Sequence, residues 1–174
     1  MANTTFSGPV RSKNGFQSIG PGAVVALTAA TNLTVADHAG RLLTMDPVGT
    51  PTAITLPTIN ATADSAVAGA SDPNNPSTIG TTFEILFIDE FTGTISTDGT
   101  DKFVGSVMVG VDDGSKKAFV PAAANDVVNL NGEAGAGNAT KGGLIGSRIK
   151  FTATADNTYM VEGLLIGDGT IVTP

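Results

Sequence analysis

Arg148-Ile149-Lys150-Phe151-Thr152-Ala153-Thr154 is followed, across Ala155-Asp156-Asn157-Thr158, by Tyr159-Met160-Val161-Glu162-Gly163-Leu164-Leu165-Ile166. The first run alternates strictly. Ile149, Phe151 and Ala153 fall on one side of an extended chain, and Arg148, Lys150, Thr152 and Thr154 on the other, because successive side chains of a strand point to opposite faces. Two such runs joined by a polar turn predict a β-hairpin. Beyond it, Gly167-Asp168-Gly169 predicts a turn into one more strand over 170–173.

Working back from the hairpin, Thr82-Phe83-Glu84-Ile85-Leu86-Phe87-Ile88-Asp89 is a nearly continuous apolar run. It predicts a central strand buried on both faces. Shorter strand candidates cover 23–28, 41–46, 52–56, 91–97, 102–111, 118–121 and 126–130, two of them stopped by Pro47 and Pro57. Short strands at roughly 8–12-residue spacing with turns between them predict an all-β fold. The expectation is an antiparallel β-sandwich, jelly-roll-like or barrel-like, over residues 23–174. The one helix candidate is the Ala-rich stretch at 59–70, inside a long loop at 59–77. A Gly-rich stretch at 131–143 predicts a second long loop, and long loops of this kind often carry interactions.

Residues 1–22 read differently. Gly8-Pro9, Asn14-Gly15 and Gly20-Pro21-Gly22 punctuate them, and no periodicity runs through them. They predict an extended N-terminal arm whose apolar points are Phe6, Val10, Phe16 and Ile19. Such points either fold back on the body or dock on a partner. The arm holds Arg11 and Lys13 and no acid, whereas the rest of the chain holds 7 basic and 16 acidic side chains. A short basic arm thus precedes an acidic body.

Composition narrows the function classes. A net charge of −7 disfavours nucleic-acid binding, which needs a basic face. The 174 residues contain no cysteine, so disulfides, thiolate metal sites and cysteine nucleophiles are excluded. Only 14% of residues are charged, against about a quarter in ordinary globular domains, which suggests a surface partly covered by neighbours. No basic-then-apolar leader opens the chain, and no apolar run approaches the ~20 residues of a membrane span. The expectation is synthesis in a cytoplasm, with no membrane partner.

The chemistry-bearing residues are sparse. His38 is the only histidine, and no Gly-x-Ser-x-Gly elbow exists. His38 reads as a turn residue. The acid pairs Asp89-Glu90 and Asp112-Asp113 read as turns, since a glycoside hydrolase built on them would also need aromatic platforms, and the chain has no Trp and one Tyr. Asp98-Gly99-Thr100-Asp101 offers loop oxygens but lacks the EF-hand pattern. Gly132 and Gly137 have P-loop spacing, but Asn138 stands where Lys is required. The expectation is a non-enzymatic protein without catalytic residues, metal or cofactor.

Leu27-Thr28-Ala29-Ala30 through Asp37-His38-Ala39-Gly40-Arg41-Leu42-Leu43, then Ala53-Ile54-Thr55-Leu56-Pro57, is similar to the opening of small phage head decoration (cement) proteins. Thr82-Phe83-Glu84-Ile85-Leu86-Phe87 resembles their next core strand, and Asp101-Lys102-Phe103-Val104-Gly105 their turn into a strand. Asp156-Asn157-Thr158-Tyr159-Met160-Val161-Glu162-Gly163 resembles their closing hairpin, without its Trp. The arm, from Ser7 to Phe16, is similar to the N-termini of small structural proteins of marine phages. The resemblance implies a virion protein on the outer capsid surface, a homotrimer that clamps neighbouring major capsid protein subunits. Phe6, Arg11, Lys13 and Phe16 of the arm are then the expected capsid contacts. Related β text also occurs in tail-associated proteins, so a tail or fibre domain serving host attachment is the alternative.

Overall fold

The hairpin forms where the alternation places it. In the computed structural model, β10 (Arg148–Ala155) and β11 (Thr158–Ile166) pair antiparallel, with Ile149 opposite Gly163 and Phe151 opposite Val161. The turn is only two residues, Asp156-Asn157, and Asn157 takes a left-handed φ of 54°, a conformation that Asn tolerates better than most residues. The register shifts between Ala153 and Ala155, a bulge that fits an odd residue into the strand end. The structure describes residues 24–46, 52–61, 77–111, 116–119, 126–132, 138–172 and 174. The expected arm, most of the 59–77 loop with its helix candidate, and the Asp112-Asp113 pair lie outside them.

The other elements are β1 (Val24–Leu27), β2 (Thr31–Asn32), α1 (Val35–His38), β3 (Leu42–Met45), β4 (Thr52–Thr55), β5 (Thr82–Phe87), β6 (Thr92–Ser96), β7 (Lys102–Gly110), β8 (Lys116–Phe119) and β9 (Val127–Asn131). They form two sheets, one of seven strands in the order β1-β3-β5-β10-β11-β7-β8 and one of four in the order β2-β4-β6-β9. The sheets pack on each other as an all-β sandwich. The pairing is mixed rather than purely antiparallel: β1-β3, β3-β5, β7-β11, β2-β4 and β4-β6 are parallel. The cause is the path of the chain. From β1 to β6, successive strands alternate between the two sheets, so each strand returns to its own sheet in the direction of the one before. Parallel neighbours need such crossovers, whereas hairpins give antiparallel ones.

Three strand expectations change with this arrangement. β5 is central in its sheet but buried on one side only: Phe83, Ile85 and Phe87 are buried, while Glu84 and Leu86 are half-exposed. A two-layer sandwich leaves the outer side of each sheet without a covering layer. The strand placed at 118–121 begins earlier, at Lys116, and pairs with β7 through Phe119 and Val107. No strand forms over 170–172. Ile171 is instead buried as a plug, with its carbonyl accepting from Lys117 Nζ at 2.9 Å, and Val172 makes one backbone bond to Thr140.

The core between the sheets is a single apolar cluster. From the large sheet it takes Leu43, Phe83, Ile85, Phe103, Ile149, Phe151 and Val161, and from the small sheet Ile54, Ile95, Val128 and Leu130. Phe103 and Phe151 meet with centroids 5.1 Å apart. Burying each such ring contributes roughly 1.5–3 kcal/mol. At one end, Phe91, Gly132 and Gly143 cross so closely that a Cβ on Gly143, whose φ is +111°, would lie 2.5 Å from the Phe91 carbonyl oxygen. Here glycine is required both by the backbone angle and by the space.

Candidate functional site

The side of the large sheet that turns away from the core is the broadest functional candidate. Register fixes its rows. Val24, Leu42, Glu84, Lys150, Glu162 and Ser106 stand side by side across six strands. Leu86, Arg148, Leu164 and Met108 form the next row, and Thr82, Thr152, Met160 and Val104 another. Val24, Leu42, Val104, Met108, Met160 and Leu164 are between 36% and 50% exposed, enough to leave most of each side chain's outer surface in water. The other large exposed apolar residues, Ile79, Ile88, Ile145 and Val172, stand outside the strands. The six on the sheet form three pairs, Val24 with Leu42, Val104 with Met160 and Met108 with Leu164, set around the row of Glu84, Lys150, Glu162 and Ser106; apolar side chains gathered on one face point to an interaction site more than scattered single ones do.

Charges at the centre of this face are matched in place. Arg148 Nη2 lies 2.7 Å from Glu84 Oε1, and Lys150 Nζ lies 3.0 Å from Glu162 Oε1. Opposite charges on neighbouring strands are favourable cross-strand pairs. Beside them is a shallow depression of about 530 Å³ lined by Leu86, Gly146, Arg148, Lys150, Glu162 and Leu164. It is open, and the charged side chains on its wall are bonded within the sheet, Arg148 to Glu84 and Lys150 to Glu162.

A second cluster lies at one end of the sandwich, where the segment after β4 meets the β6–β7 turn. Asp98 accepts from Thr58 Oγ1 at 2.7 Å and from the backbone N–H groups of Thr100 and Asp101. These bonds, the Thr58 hydroxyl foremost, hold its carboxyl below the usual carboxylate range. Asp101 is fully buried, and its Oδ2 accepts from the Ile59 N–H at 2.9 Å. Its Oδ1 finds no donor. Desolvation pushes its pKa up, with Asp98 and Asp156 adding like-charge repulsion. Tyr159, whose phenol is also raised by burial, donates to the Pro57 carbonyl at 2.7 Å. Lys102 bridges Asp126 at 2.8 Å and the Gly99 carbonyl at 2.6 Å, and its bond to Asp126 lowers that carboxyl. Most oxygens of the cluster are spent on the fold's own donors, and its work is to tie turns together.

The residues singled out in the sequence fall as follows. His38 ends α1, and its Nδ1 accepts the Thr34 N–H at 2.9 Å. Thr34 caps the same turn: its hydroxyl accepts from the Asp37 N–H and donates to the Asp37 carboxylate, an N-cap that satisfies one of the turn's free N–H groups. The segment is thus a helical turn rather than an irregular one, and Thr34-x-x-Asp37 was its signal. Asp89 accepts from the Glu90 N–H within a turn. Gly132 and residues 138–143 are pinned by backbone bonds and by Asn131, whose side chain holds Asn138, Thr140 and Lys141; 133–137 lie outside the described residues. Phe6, Arg11, Lys13 and Phe16 also lie outside them. Among the described residues, no group of three or more His, Asp or Glu side chains is placed to hold a metal.

Strand-by-strand reading missed the outer face. Its signal was present as apolar residues on the off-beat of strands whose on-beat was already apolar: Leu86 in β5, Val104 and Met108 in β7, Met160 and Leu164 in β11. No protein-family model, curated protein or solved structure matches this chain. Among the described residues, no helix is long and apolar enough to cross a membrane.

Proposed function

We propose that this chain is a structural protein of a virus particle, a phage head decoration protein that sits on the outer capsid surface and clamps neighbouring major capsid subunits. The observation that carries this proposal is the convergence of the resembling motifs. Ile54-Thr55-Leu56-Pro57, Asp101-Lys102-Phe103 and Asn157-Thr158-Tyr159 are far apart in the chain. They meet at one end of the sandwich, through Tyr159 to Pro57, Lys102 N–H to the Asn157 carbonyl at 2.9 Å, and Asp101 to Ile59. Each motif alone is common β-turn text. Together they make one hydrogen-bonded unit at that end of the sandwich.

The outer face of the large sheet supports a role in assembly, since it offers area and apolar contact without reactive groups. The arm, with Phe6, Arg11, Lys13 and Phe16, is the proposed capsid contact. Its two bases suit an acidic groove, and several weak arm contacts on one lattice gain strength through avidity. Deleting residues 1–20 should abolish co-sedimentation with capsids while the thermal transition of the body stays in place. Undiminished co-sedimentation removes the arm from the mechanism.

A further inference from the structure

We infer that the outer face of the seven-stranded sheet is covered, in solution, by the same face of a second copy of this chain. The inference rests on reading that face as an assembly surface. It does not depend on the virion role.

Three observations select the occupant. The first is charge. The chain carries −7 overall, yet the middle of this face carries two acids and two bases, Glu84, Glu162, Arg148 and Lys150, already paired within the chain. Two acidic bodies repel along most approaches, and a face whose charges cancel is where they can close. Because each charge keeps its own partner, covering the face leaves no unpaired buried ion, the costly case. A strongly charged partner would gain no steering from a neutral face.

The second is where the apolar surface lies. Six of the large exposed apolar side chains share this face, and the other four lie outside the strands. A head-to-tail contact needs two different complementary patches, whereas a two-fold contact uses one patch twice. The described surface supplies one. The resemblance implies three copies around a three-fold axis; this face argues for two around a two-fold.

The third is area. Rows spanning six, four and four strands, about 4.8 Å apart across the sheet and about 6.7 Å apart along it, give a plane of roughly 450 Å² per copy. Counted on both copies this is about 900 Å², the size of a weak, concentration-dependent pair rather than of a permanent one. Packed sheets stand about 10 Å apart, so Met108, Met160 and Leu164 would interdigitate with their counterparts.

Purified full-length protein tests this. Light scattering across a dilution series should give twice the 17.4 kDa chain mass at high concentration. In the same samples, peroxide should oxidise Met108 and Met160 slowly when concentrated and quickly when dilute, with buried Met45 as the internal reference. The double variant Met160→Lys/Leu164→Lys should weaken association by about a hundredfold or more, while Thr94→Lys/Asn129→Lys on the other sheet should leave it unchanged. The peroxide readout needs no variant, so a misfolded double variant does not block the test. A monomer with rapidly oxidised Met108 and Met160 overturns the inference. So does a monomer in which both are protected at every dilution, which would place residues 1–23 of the same chain on the face. A three-fold mass overturns the two-fold contact.

Discussion

The two outer faces of this sandwich are built from the same kind of strand and look nothing alike. On the small sheet, the outward positions are Asn32 of β2, Ala53 and Thr55 of β4, Thr92, Thr94 and Ser96 of β6, and Val127, Asn129 and Asn131 of β9. They carry no charge and no large exposed side chain, and short hydroxyls and amides meet water without help. On the large sheet, Leu42, Leu86, Met108, Met160 and Leu164 surround two ion pairs. The small sheet is finished as a surface, while the large one has the composition of an interface: apolar side chains with their polar groups already matched.

The comparison breaks most severely if the core shared by both faces is wrong. Phe151→Ala, directly behind the charged face, and Ile95→Ala, behind Thr94, should each lower stability. The Phe change should cost about 3–5 kcal/mol and the Ile change about 2–5 kcal/mol in urea unfolding. A near-zero cost at Ile95 would mean that the small sheet does not pack on the large one. Next in size is Tyr159→Phe, which leaves the Pro57 carbonyl without its donor where β11 meets the segment after β4. It should cost about 1–2 kcal/mol, again read by urea unfolding.

Asp101 gives a pH signature at the same end. Its folded pKa lies above its ordinary carboxylate value, chiefly through desolvation. The native state therefore holds that proton more tightly than the unfolded chain, and the resulting stability is fully present below the ordinary value and lost as pH rises through the folded one. Asp101→Asn cannot lose it. The melting temperature of the variant relative to the parent should climb between pH 4 and pH 7; a flat difference would place Asp101 in water. The smallest effect belongs to the face itself. Lys150→Ala should change monomer stability by at most about 1 kcal/mol, because Lys150 and Glu162 are partly exposed and screened by water. Thr94→Ala on the opposite sheet should fall in the same range.

These contrasts also explain how far the sequence could be read. The hairpin from Arg148 to Ile166 was legible because its alternation and its turn agree. The strands at 24–27, 42–45 and 52–55 were legible because glycine and proline bound them. The parallel pairing was not, since it depends on which sheet each strand joins, and no local pattern in β1 to β6 records that choice. β5 was misjudged as buried on both faces because Leu86, on the outer row, carries the same apolar signal as Ile85, in the core. Leu164 and Met160 in β11 mislead in the same way. Hydrophobicity marks what leaves water, and a core and an interface both do.

The central claim is that this chain is a lattice component of a virus head. Its most direct test is the copy number in purified virions, counted against the major capsid protein by quantitative mass spectrometry. A simple small-integer ratio to the capsid protein is the predicted result. Only a few copies per particle would contradict it in favour of a tail or vertex position, and absence from the particle would contradict the virion role altogether.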